Sequence, residues 1–268
     1  MEHYMTNEKI DHYLKTLENE ERAAATIEKY RRALLNFSTF LSGAAVTPET
    51  IRLWKDELHE RNYAPSTINT FLAALNGFFY FCGWSDCRAR FLKIQHRLFR
   101  DSRQELTRAE YERLVAAAET AGDRGLALLM ETICSTGIRV SEVQYITVEA
   151  AKNGKAEIAL KGKIRTILLP SKLCRKLLKF AARQKTASGA IFRAKSGNAM
   201  SRYQIWSKMK KLCERAGVDA EKVFPHNLRH LFATAFYRAY KDIVKLADVL
   251  GHSSIETTRI YLVTSAAE

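Results

Sequence analysis

Three short stretches of this 268-residue chain combine residue types able to handle a phosphate anion. The first is Ser135-Thr136-Gly137-Ile138-Arg139-Val140-Ser141-Glu142. Gly137 is placed to end one helix and Arg139 to open the next, beside backbone N–H groups that already favour an anion. Taken alone, the simpler reading of Arg139 is a surface ion pair with Glu142. The second stretch is Pro225-His226-Asn227-Leu228-Arg229-His230. His226 and Arg229, three apart, share a helix face, where a fork of guanidinium donors and an exchangeable imidazole proton can grip a phosphate. His230 points elsewhere and reads as structural. The third runs from Leu250-Gly251-His252-Ser253 through Glu256 to Tyr261. His252 stands at a helix N-terminus, and Tyr261 falls about two turns along that helix. A lone tyrosine there is ordinarily a half-buried packing residue. A phenol with a pKa of about 10 attacks poorly at neutral pH. Its use against a phosphodiester requires neutralised non-bridging oxygens, an activated phenol and a protonated leaving oxygen.

The elements that must position these residues are mostly helices. Apolar spacing predicts helices over 23–41, 48–61 (Thr47 as N-cap, Pro48 at its first position) and 67–81 (Ser66 as cap), which together make a compact helical bundle. Thr107 and Glu110 form a capping box for a helix over 108–120, followed by helices over 125–135 and 140–145. Short β-prone runs at 156–160 and 165–169 flank Lys161-Gly162-Lys163-Ile164 as a hairpin. Helices return over 171–184, 203–216, 226–239 and 242–250, with Gly251 as C-cap. Ser253 and Glu256 make a capping box for the helix carrying Tyr261. The expected fold is therefore mainly α with a small antiparallel hairpin. A helical domain over residues 1–100 leads through a linker at 101–106 to a mixed α+β domain over 107–268.

Charge points to the partner. The formal net charge is +14. Residues 1–100 hold 14 Lys and Arg against 12 Asp and Glu, whereas residues 101–268 hold 29 against 17. Between Lys152 and Lys211 there are 17 basic residues and one acid, Glu157. Such a density repels itself without a polyanion, which favours nucleic acid over an anionic membrane. No long apolar run or leader is present, so a soluble, cytoplasmic protein is expected. The five cysteines (Cys82, Cys87, Cys134, Cys174, Cys213) form no Cys-x-x-Cys pair and read as core hydrophobes rather than a disulfide or zinc framework.

In this order, with the Lys161 hairpin between the first two, the clusters resemble the tyrosine recombinase (phage integrase) family, especially its small Xer-like members. The phrases TGIRVSE, PHNLRH and LGHSS are close to the family's own. The family pattern of Arg, Lys, His-x-x-Arg, His and Tyr falls on Arg139, Lys161, His226, Arg229, His252 and Tyr261, and the interval from His252 to Tyr261 also matches. The resemblance spans the second part of the chain and, more loosely, the helical first part, which is similar to a SAM-like core-binding domain. It implies site-specific cutting and rejoining of double-stranded DNA through a 3′-phosphotyrosyl bond to Tyr261, with no metal, ATP or other cofactor. It further implies that His226 is the nucleophile's acid/base partner, that His252 donates to the phosphate, and that Lys161 protonates the leaving 5′-oxygen. Lys163 competes for that last role. Lys161 is preferred because the family's lysine precedes the turn glycine. A homo-oligomer, a tetramer on paired sites, is the implied assembly. Seven residues follow Tyr261, fewer than the tail with which relatives usually dock into a neighbour. Two rivals share some of these features: a helical protein that bridges DNA without cutting it, and a type IB topoisomerase.

Overall fold

A computed structural model describes residues 2–94, 105–160, 163–252 and 254–259. Its contacts divide the chain into two units, Met1–His96 and Arg97–Glu268.

The first unit is built by α1 (Asn7–Asn19), α2 (Ala24–Leu41), α3 (Pro48–Glu60) and α4 (Pro65–Phe81). Helix α1 is absent from the sequence-based elements, although Thr6 caps it and Ile10, Tyr13, Leu14 and Leu17 form its buried stripe. Helix α4 opens at Pro65, not at a Ser66 cap; Ala64 is its N-cap residue and makes no side-chain cap bond. Proline fits there because the first helical N–H needs no partner within the helix. The core is aromatic, with Phe37, Trp54, Phe78 and Phe79 essentially inaccessible. Asn76 and Asn69 on α4 each accept from and donate to the backbone of one later residue, Ala89 and Leu92, at 2.8–2.9 Å. These amides act like a neighbouring strand and pin the chain that leaves the bundle.

The second unit is organised around α6 (Arg124–Thr136), which buries Leu126–Met130, Thr132, Ile133 and Thr136. The Thr132 and Thr136 hydroxyls donate to the carbonyls four residues back, so both buried hydroxyls are satisfied within the helix. Around α6 pack α5 (Arg108–Thr120), α8 (Ser171–Arg183), α9 (Arg202–Lys210) and α11 (Pro225–Tyr240). Smaller elements complete the unit: α7 (Val148–Asn153), α10 (Cys213–Ala216), α12 (Ile243–Leu250) and α13 (Glu256–Arg259). Thr107 and Glu110 make the expected capping box on α5. The expected helix over 140–145 is a 3₁₀ turn, Val140–Tyr145. The expected helix over 203–216 is two, α9 and α10; at the break the Leu212 amide bonds to the Met209 carbonyl, three residues back instead of four. Strands β1 (Lys155–Leu160) and β2 (Lys163–Leu168) pair antiparallel, with Ile158 opposite Arg165 and Leu160 opposite Lys163. β1 ends at Leu160 as the apolar run suggested, and β2 starts two residues nearer the turn than expected. Ala156, Ile158, Ile167 and Arg165 share the inward face by register, while Ile164 and Leu168 are exposed.

All five cysteines are free, and burial raises each thiol's pKa, that of Cys134 to about 11. Among the described residues, no helix is long and apolar enough to cross a membrane. The expected linker over 101–106, Ser253, Lys161 and Tyr261 lie wholly or partly outside the described residues.

Candidate active site

Three guanidiniums gather at the C-terminal end of α12. A helix end leaves its last carbonyls without partners inside the helix, and the aligned peptide dipoles make that end negative. Here Leu250 and Gly251 supply those carbonyls. Arg229 donates to the Leu250 oxygen at 2.7 Å and Arg139 to the Gly251 oxygen at 3.0 Å. Arg165 shares the Leu250 oxygen with Arg229. Arg229 also donates to the carbonyl of Gly137, at the C-terminus of α6. A side chain only 2 % exposed can thus keep its charge, between two helix C-termini.

Gly137 and Gly251 make these approaches possible. Both sit in the left-handed region, at φ 64° and 62°. A β-carbon on Gly137 would meet the Phe232 ring at 2.5 Å, and one on Gly251 would meet the Arg165 side chain.

Glu142 ties two of the guanidiniums together. Its carboxylate is 3 % exposed; one oxygen accepts from Arg139 Nη1 at 3.0 Å, the other from the Arg139 amide at 2.9 Å and from Arg165 Nη2 at 2.5 Å. The Arg139–Glu142 pair foreseen at the surface is therefore real but buried on its acidic side. Arg139 remains the open member, its side chain 39 % exposed against 17 % for Arg165. Burial lowers the pKa of Arg165, and Glu142 opposes that shift.

His252 completes the cluster. Its Nε2 lies 3.0 Å from Arg229 Nη2 and its Nδ1 2.9 Å from the Thr258 hydroxyl. A guanidinium has no acceptor, so Nε2 accepts and the ring proton sits on Nδ1. Burial first, and then the charges of Arg229, Arg139, Arg165 and His226, lower the His252 pKa to about 4. The ring is neutral at physiological pH. His226, in the first turn of α11, is exposed, and close enough for its charge to act on His252. His230, the residue after Arg229 on α11, is buried, with Nε2 3.6 Å from Glu105.

Of the residues singled out in the sequence, the structure brings together Arg139, Arg229 and His252, with His226 beside them. Arg165 and Thr258 were missed, and Glu142 was noticed only as a surface partner. The cluster carries three guanidiniums against one carboxylate and suits a phosphate whose oxygens must be neutralised. Among the described residues, His3, Asp86 and Cys87 of the first unit are near enough to one another to hold a metal ion. Each already has a partner: His3 Nε2 bonds Asp86 at 2.9 Å and the Cys87 thiol donates to the Val46 carbonyl.

Comparison with known proteins identifies the family of the chain. The sequence profile of the phage integrase family matches residues 104–268, and that of the phage integrase N-terminal SAM-like domain matches residues 10–85. The chain is 29% identical to tyrosine recombinase XerA of Pyrococcus furiosus, over 96% of this chain and 90% of that protein. It is 30% identical to tyrosine recombinase XerD of Brucella suis, over 94% and 91%. Its fold is similar to a lambda integrase dimer bound to a COC′ core site, with TM-score 0.78, 18% identity, and coverage of 97% of this chain and 77% of that one. XerH site-specific recombinase bound to its difH substrate gives TM-score 0.72 and 21% identity, over 98% and 84%.

Proposed function

The chain belongs to the phage integrase family and is a site-specific DNA recombinase, and from that premise we propose how its own residues carry out the strand exchange. Its partner is double-stranded DNA, on which it oligomerises. Arg139 and Arg229 hold the non-bridging oxygens of the scissile phosphate. The Tyr261 oxygen attacks phosphorus and passes its proton to His226. As the Tyr–O–P bond forms, the P–O5′ bond breaks, and Lys161 gives its proton to the departing 5′-oxygen. The resulting 3′-phosphotyrosyl bond conserves the energy of the diester. A 5′-hydroxyl from another strand reverses the step and frees the tyrosine. His252 enters neutral with its Nε2 turned to Arg229; a phosphate oxygen at this cluster favours the protonated ring, which then donates to it. Four copies act on two duplexes in the cytoplasm, on nucleoid DNA, in integration and excision, inversion or dimer resolution.

One observation carries this reading: Arg139, Arg229 and His252, far apart in the sequence, meet at one helix end. Binding alone has no need of that convergence. The test is covalent trapping on a randomised pool of nicked duplexes. The unaltered chain should leave a denaturant-resistant protein–DNA adduct, and Tyr261→Phe should leave none. An adduct that survives Tyr261→Phe reassigns the nucleophile. DNA retention with no adduct in the unaltered chain leaves a bridging protein. Relaxation of supercoiled DNA by monomers at arbitrary sequences gives a topoisomerase.

A further inference from the structure

Arg165 has no place among the residues that the chemistry above requires, yet it shares the buried Glu142 carboxylate with Arg139. It lies on the inward face of β2, inserts beneath Gly251, and bonds both the buried Glu142 carboxylate and the Leu250 carbonyl. Its exposure is less than half that of Arg139, so it is poorly placed to grip DNA itself.

The charge balance shows what it does. Glu142 holds Arg139 in place through its side chain and its amide. A buried carboxylate facing one guanidinium would cancel it, and the attraction offered to a phosphate would fall with it. With Arg165 on the second oxygen, one negative charge is divided between two positive ones, so Glu142 anchors Arg139 without neutralising it. We propose that Arg165 is a positioning residue that offsets Glu142, and so keeps the charge of Arg139 available to the scissile phosphate. The proposal rests on Arg139 being a phosphate ligand.

Single-turnover cleavage of a trapped nicked duplex by the full chain tests this. Arg165→Met keeps length and loses charge; it should slow cleavage at least about tenfold with DNA affinity unchanged within about twofold. Arg165→Lys should recover part of the rate. In a Glu142→Gln background the loss caused by Arg165→Met should shrink at least about fivefold, the signature of coupled neighbours. Equal losses in both backgrounds would reduce Arg165 to packing, and a fall in affinity at unchanged cleavage rate would make it a direct DNA contact; either overturns the proposal. If thermal melting shows that Arg165→Met does not fold, Arg165→Lys decides. A rate within about tenfold of the unaltered chain supports the charge role, and a loss beyond about a hundredfold at unchanged melting overturns it. Arg139→Met is the control for the parent reading. If it cleaves normally, that reading fails whatever Arg165 does.

Discussion

His252 links the site to the stability of its domain. Its pKa is about 4 in the folded chain against an ordinary 6.5. Between those values the unfolded chain takes up a proton that the folded chain refuses, so stability is complete above pH 6.5 and drains away as pH falls toward 4. Allowing for its partial exposure, the loss should reach about 2 kcal/mol. Thermal melts from pH 7 to 4.5 should therefore be steeper for the unaltered chain than for His252→Gln; parallel curves would contradict the assignment. Residues of this kind were legible because motif and helical spacing mark them: His226 and Arg229 share a face, and His252 follows a helix-ending glycine. Arg165 was not, since its ties to Glu142 and Leu250 cross 23 and 85 residues of chain. One local signal existed: the register places it on the same face as Ile158 and Ile167, where a charge needs a buried partner.

At the scale of elements, the site is a meeting of helix ends. Gly137 closes α6 in a left-handed conformation against Phe232, and its carbonyl receives Arg229. Gly137→Ala must strain the backbone and push the ring, at a cost of about 2–4 kcal/mol. The expected outcome is a lower denaturation midpoint together with slower cleavage, because the carbonyl shifts with the turn. A variant that melts like the unaltered chain would show that the turn relaxes freely. Capping signals located α3, α5 and the ends of α6 and α12 well, since a side chain or a glycine announces each. The break between α9 and α10 carries no such residue: Lys211 and Leu212 are ordinary helix formers, and the backbone bonds that end α9 are set by packing.

For the whole molecule, charge was the most readable property. Exposed Lys172, Arg175, Lys179 and Arg183 crowd α8, and much of the remaining excess also lies in the second unit. If DNA draws on about six of these charges, affinity should fall roughly a thousandfold between 50 and 200 mM salt, and neutralising those that touch phosphate should flatten that slope. A filter-binding titration insensitive to salt would discard phosphate contact as the source of affinity. The helical bundle of the first unit was visible in the apolar patterns, but not the clasp by which Asn69 and Asn76 hold the chain leaving it, since an amide imitating a strand has no periodic signature. The acceptors at the end of α12 impose a different kind of constraint. They are main-chain oxygens, so exchanging one apolar side chain for another at position 250 leaves them in place. Adding or deleting a single residue within α12 turns its end by about 100° and aims the oxygens away from all three arginines, and no side-chain replacement there can restore them. The register of this helix is thus guarded more closely than its composition.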